Sequence, residues 1–111
     1  MQYSQASIGR VFIIKVEHKE DLLEEIKKLA IRENIEFATL AFIGAMTRAD
    51  IVAGPGKLEL PAVPAWISFG DGREVLGFGT IVKNGEEVNA HIHASFGKGD
   101  KALTGCLEPI S

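Results

Sequence analysis

Between Asn84-Gly85 and Gly97-Lys98-Gly99-Asp100 the chain alternates apolar and polar residues without a break. Val88, Ala90, Ile92, Ala94 and Phe96 fall on one side of an extended backbone; Glu87, Asn89, His91, His93 and Ser95 fall on the other. A period of two with turn residues at both ends marks the middle strand of an antiparallel meander. Asn-Gly suits a two-residue type I′ turn, which needs positive φ at both positions, so Lys83 is expected to face Glu86. A two- or four-residue loop at the second turn brings Ala94 opposite Leu103, Ile92 opposite Gly105, His93 opposite Thr104 and His91 opposite Cys106. That register keeps the apolar face apolar, whereas a one-residue slip moves Leu103 and Leu107 to the polar face.

The rest of the chain fits around this meander. Val11 to Val16 is a short β-branched run and reads as a strand. His18 to Arg32 switches to helical spacing, with Leu22, Ile26, Leu29 and Ala30 on one face. Asp21 and Glu24 have the spacing of a capping box, Glu24 and Lys28 pair at i, i+4, and Asn34 is a helix stop. Phe37 to Ala45 and Thr47 to Ala53 read as two strands with a bend or bulge near Gly44. Gly54-Pro55-Gly56 and Pro61 to Pro64 mark a loop, Trp66 to Phe69 a strand, Asp71-Gly72 a turn, and Val75 to Val82 another strand. The expected fold is α+β: a mainly antiparallel sheet of five to seven strands with one principal helix packed on one face. The helix is expected over the bare patch left by Gly77 and Gly79. Leu76, Phe78 and Val82 would then share the outer face with the histidines, a surface too apolar for water and suited to subunit association.

At 111 residues the chain is read as a single domain, 1–111. Its net charge is −3 and its basic residues are scattered, so no stripe exists that would grip a phosphate backbone. A lone cysteine, Cys106, makes no intrachain disulfide, and a reducing cytoplasm is the expected location. The first ten residues are too polar for a signal peptide, and no apolar run approaches the ~20 residues of a membrane helix.

Two of the three histidines and the cysteine converge on one short segment. Same-face neighbours on a strand are ~6.5–7 Å apart, and opposed Cβ atoms ~4.5–5.5 Å. Zinc takes imidazole at ~2.0–2.1 Å and thiolate at ~2.3 Å, so a single ion would reach His91, His93 and Cys106, leaving a fourth position open. The alternative is that both imidazoles only hydrogen-bond across a subunit interface while Cys106 packs as a small hydrophobe. Glu74 and Glu108 flank this face as candidate bases. A Cys106–His91 nucleophilic pair lacks a visible orienting group. Gly44, Thr47 and Arg48 form a second cluster, read either as an interface or as a site for a small anion. His18 is read as a surface residue and Trp66 as interface or core. The Gly-x-Gly pairs open no helix and carry no nucleotide fingerprint.

Three stretches, GRVFIIKVEHKEDLLEEIKKLAIRENI, ATLAFIGAMTRADI and VLGFGTIVKNGEEVNAHIHASFGKGDKALTGCL, in that order from Gly9 to Leu107, resemble the plant and prokaryote conserved (PPC) domain. The most specific pieces are Ile43-Gly44-Ala45 and the His-x-His strand with its following Gly-Cys-Leu. The resemblance implies an antiparallel sheet with a flanking helix, assembled as a homotrimer, in a stand-alone protein without an established activity. The family's cluster is His-x-His plus a third His after a glycine; His91 and His93 match, and Cys106 stands at the third position. Land-plant members carry an AT-hook that meets DNA. No Arg-Gly-Arg-Pro core occurs here, so direct DNA binding is not implied. The family adds a further strand where this sequence ends at Glu108-Pro109-Ile110-Ser111, leaving a sheet edge short or covered by a neighbouring subunit. The leading expectation is a homotrimeric assembly or binding protein with zinc at His91, His93 and Cys106. The alternatives are a metal-dependent enzyme on a small polar substrate held between subunits, and a regulatory protein that meets DNA through a partner.

Overall fold

The computed structural model describes residues 1–57, 60–61 and 63–110. Leu58, Glu59 and Ala62, in the expected Pro-rich loop, and Ser111 lie outside the described residues. Among the described residues one helix, α1 (Leu22–Arg32), precedes six strands: β1 (Phe37–Met46), β2 (Ala49–Pro55), β3 (Pro64–Phe69), β4 (Arg73–Asn84), β5 (Glu87–Lys98) and β6 (Lys101–Glu108). All pair antiparallel in one sheet of order β1-β4-β5-β6-β2-β3.

The helix ends are set by single residues. The Asp21 carboxylate accepts the Glu24 N–H at 3.1 Å, satisfying one of the free donors of the first turn. At the other end Asn34 takes φ 50°, Asn34 N–H donates to the Ile31 carbonyl and Ile35 N–H to that of Ala30. These two bonds make a Schellman stop, with Asn in the left-handed position. The buried stripe is Leu23, Ile26 and Ala30, with Leu22 and Leu29 at its margins. The expected stripe was therefore rotated slightly and omitted Leu23. Lys28 pairs with Glu25 at 3.3 Å; this is an i, i+3 contact where the spacing suggested Glu24.

Only Thr47 and Arg48 separate β1 from β2, although three strands lie between them in the sheet. In a flat sheet those four gaps of ~4.8 Å would span roughly 19 Å. Three chain steps reach roughly 11 Å at most. The sheet is therefore rolled, and the inside of the roll is the core. Ile51, Ile92 and Phe96 are fully buried there with Ala94, Val75, Phe69 and Leu107. Each such large side chain contributes ~1.5–3 kcal/mol by leaving water. The helix closes a second cluster, Ile26, Ala30, Ile35 and Ile81, and packs on β4 and β5.

Several expectations are corrected. Val11 to Val16 is no strand: it joins no ladder among the described residues, and β1 forms the sheet edge. No bend occurs at Gly44, which pairs with Val75 in an uninterrupted ladder; the chain turns only after Met46. The glycine patch is filled by side chains of the sheet itself. A Cβ on Gly77 would strike the Phe42 ring, and one on Gly79 would come 2.7 Å from an Ile92 side-chain carbon, so the helix is not what needs that space.

Both hairpin registers also differ. The β4–β5 loop is Gly85-Glu86, with Asn84 facing Glu87 and only Gly85 at positive φ among the turn residues. Positive φ at the first central position alone is the II′ pattern, in which glycine leads the turn. Lys83 accordingly faces Val88, where Glu86 was expected. The second loop is Gly99-Asp100, with Lys98 facing Lys101, and His93 opposes Cys106 where His91 was expected. Each change moves the pairing by two positions, so every side chain keeps its face.

Candidate metal centre

β5 supplies His91 and His93 from alternate positions on its outer face, and β6 supplies Cys106 directly opposite His93. Their inward neighbours Ile92, Ala94 and Leu107 are buried in the roll, which fixes the outward direction of all three candidate ligands. Gly105 locks the strand that carries Cys106, since a Cβ there would lie 2.5 Å from the Val52 carbonyl of β2. Across β4, Thr80 faces His91 and Phe78 faces His93. Val52 of β2 faces Cys106 from the other side. Thr80 was not among the sequence candidates, although its place between Phe78 and Val82 in the alternation puts it on this face.

The Nε2 atoms of His91 and His93 lie 2.8 Å apart, so one ring donates and the other accepts. The rings are 4.8 Å apart at 37°. One ligand atom from each of His91, His93 and Cys106 lies within 4.8 Å of the others. Zn–N bonds of ~2.05 Å in a tetrahedron put two nitrogens roughly 3.3 Å apart, and a nitrogen and a thiolate roughly 3.6 Å apart. The set is therefore within small side-chain rotations of coordination. Both imidazoles are exposed and Cys106 is half-buried. Burial pushes the Cys106 thiol above its usual range, and the Glu108 carboxylate, two residues along the same face, pushes it further by its charge and a hydrogen bond. The thiol of the free chain thus holds its proton, and a metal ion would have to displace it. The donor set of two imidazoles and a thiol fits zinc.

The other candidates separate from this centre. Glu74 faces Gly97, four residues along β5 from His93, about 13 Å away along the strand. Gly44 sits within β1, while Thr47 and Arg48 form the exposed link to β2, where the Thr47 carbonyl accepts the Gly72 N–H at 3.1 Å. None of the residues from Gly44 to Arg48 has positive φ, so the backbone there lacks the alternating turn of an amide nest. His18 is exposed, and Trp66 is largely exposed on β3. Among the described residues no helix is long and apolar enough to cross a membrane.

The family profile of the Plants and Prokaryotes Conserved (PCC) domain, the family the sequence resembles, matches residues 3–110. No curated protein matches the sequence. Among solved structures, a metal-containing protein from Archaeoglobus fulgidus superposes with TM-score 0.84 at 22% identity, over 97% of this chain and 76% of that one. A candidate DNA-binding protein from Bacteroides thetaiotaomicron gives 0.63 at 21% identity, over 78% and 59% of the two chains. One from Ralstonia eutropha gives 0.64 at 20%, over 78% and 58%. At these identities the likeness is one of fold.

Proposed function

The chain belongs to the Plants and Prokaryotes Conserved (PCC) domain family, and from that premise we propose that it is a homotrimeric metal-binding protein whose His91, His93 and Cys106 hold a zinc ion. The observation that carries this reading is the convergence of three ligand atoms within 4.8 Å on one rigid hairpin face. The metal-containing neighbour of the same fold supports it. The two imidazoles bind as neutral ligands and Cys106 as a thiolate, which leaves one position for water, a small polar ligand or a group from a second subunit. Bound there, zinc would supply a Lewis-acid centre. Residues of this chain shape its surroundings: Phe78 and Val52 present apolar walls, and Thr80 offers a hydroxyl beside His91.

The trimer is supported by the same outer face. Phe37, Ala41 and Ile43 of β1 oppose Val82, Phe78 and Leu76 of β4, beside the histidines. Ile43 is 88%, Phe37 69%, Leu76 63% and Phe78 58% exposed in the single chain. So continuous an apolar surface is an interface in most soluble proteins. A direct grip on DNA fits this chain less well, because its net charge is −3 and no basic stripe neutralises phosphates.

Elemental analysis of the purified protein tests the proposal. The expected result is about one zinc per chain, retained through dialysis, because three ligands fold with the site already formed. His93→Ala should weaken zinc binding by more than the ~10–100-fold that loss of an outer-sphere partner costs. A native protein that takes up no zinc under titration, or a variant that binds as tightly as the native chain, overturns the reading.

A further inference from the structure

The geometry points to Glu108 as a fourth ligand of the metal centre, filling from within the chain the position that His91, His93 and Cys106 leave. This rests on those three residues being zinc ligands, and it narrows the centre to a closed, four-coordinate one. The sheet sets the four side chains in two facing pairs. His93 opposes Cys106, the last pair of the β5–β6 ladder, and the same register carried one step further sets Glu108 opposite His91. Along β6, inward Gly105 and Leu107 alternate with half-buried Cys106 and Glu108, so both of the latter leave the strand on the face of the histidines. Same-face neighbours ~6.5–7 Å apart and facing Cβ atoms ~4.5–5.5 Å apart make a rectangle whose middle is roughly 4 Å from each corner. An imidazole, a thiolate or a glutamate carboxylate spans that distance to a shared ion.

The backbone holds Glu108 at its corner. It pairs with Asp50 of β2, in the ladder that joins Leu107 to fully buried Ile51 and Cys106 to Val52, so a slip of register would expose the core. Two carboxylates therefore lie side by side on this face. Asp50 accepts the Ser68 hydroxyl of β3 at 2.7 Å, on the side away from the histidines. Glu108 is on the near side. After burial, its carboxylate is what pushes the Cys106 thiol up, by charge and by a hydrogen bond. In the free chain it thus lies against the sulfur, beside the three atoms that already converge within 4.8 Å. Rotation about its own side-chain bonds is enough to bring it from the sulfur to an ion held there. Charge selects the same residue. Two neutral imidazoles and one thiolate leave zinc with a surplus positive charge, which the Glu108 carboxylate cancels. The centre lies beside Leu76 and Phe78, 63% and 58% exposed, on the face that association of copies would cover. A neutral centre can be covered there, whereas an uncompensated charge is costly to take out of water. Four protein ligands make the closed arrangement of a structural site. The ion would fasten β5 to β6 just past the point where their ladder ends.

The test loads the full chain with cobalt(II), whose absorption reports coordination without any assay of activity. The expected native spectrum has the near-ultraviolet band of a thiolate bound to cobalt and the strong visible bands of a four-coordinate ion, and sodium azide leaves it unchanged because no position is open. Glu108→Ala should shift the visible bands, make them respond to azide, and weaken zinc binding by more than the ~10–100-fold that loss of an outer-sphere partner costs. Glu108→Cys should restore azide resistance and raise the thiolate band about twofold, since a second sulfur then binds the ion; it also serves if Glu108→Ala does not fold. A native spectrum with no thiolate band removes the three-ligand centre itself, and the proposal with it. A thiolate band that neither variant alters, or a native spectrum that azide shifts, overturns the fourth ligand alone. So does a native spectrum whose visible bands change on dilution, which would mean that a second copy supplies the fourth group.

Discussion

At the scale of single residues, Cys106 has the most to report. Its thiol is raised first by burial and then by the Glu108 carboxylate beside it. The folded state therefore binds the thiol proton more tightly than the unfolded chain does. Below the ordinary thiol range both states are protonated and stability does not depend on this group. As pH rises through that range the unfolded state loses its proton first, and folding stability falls. Urea midpoints of the metal-free protein should accordingly drop between pH 7 and pH 10, and Glu108→Gln should reduce the drop. The same variant should speed alkylation of Cys106 by iodoacetamide at a fixed pH near 8, since the attacking species is the thiolate. An alkylation rate unchanged by Glu108→Gln would show that the carboxylate does not reach the sulfur. Zinc reverses the sense of the argument, because coordination favours the thiolate, and bound metal should protect Cys106 from the reagent.

At the scale of elements, the meander depends on glycines chosen for space as much as for turns. Gly105 is the clearest, since its missing Cβ would meet the Val52 carbonyl and the Ile51 side chain, both at 2.5 Å. A carbonyl fixed in a ladder cannot rotate away, so Gly105→Ala must push β6 from β2. We expect a loss of roughly 1–3 kcal/mol in urea unfolding, with weaker zinc binding because Cys106 moves with the strand. A stability within error of the native protein would show that the β2–β6 contact relaxes freely. What the sequence made legible at this scale was periodicity. The alternation from Val88 to Phe96 placed His91, His93 and Cys106 on one face, and the structure keeps them there. The pairing of His93 with Cys106 was not legible, because Gly-Lys-Gly-Asp allows more than one loop, and the chosen loop decides which residues of β5 and β6 face each other. The N-terminal run failed for a different reason. β-branched composition tells that Val11 to Val16 favours an extended backbone, but a strand needs a partner, and partners are set by the roll of the sheet.

At the scale of the whole molecule, the rolled sheet sorts apolar side chains into two populations. One fills the interior around Ile51, Ile92 and Phe96. The other, Phe37, Ile43, Leu76, Phe78 and Val82, lies on the outside, on strands whose inner faces are already satisfied. Folding of one chain cannot bury this second set, because β1 and β4 present it on the side away from the core. Association of copies can, and it would bring several His91–His93 pairs toward a shared boundary, where the zinc ion would be screened from bulk water. Phe78→Asp places a carboxylate at the middle of that surface without touching the interior. Light scattering of the native protein at micromolar concentration should report three chains. The variant should report one, with far-UV circular dichroism unchanged and the zinc ligands intact. A native protein that is monomeric, or a Phe78→Asp protein that still assembles, would remove the outer face of β1 and β4 as the interface.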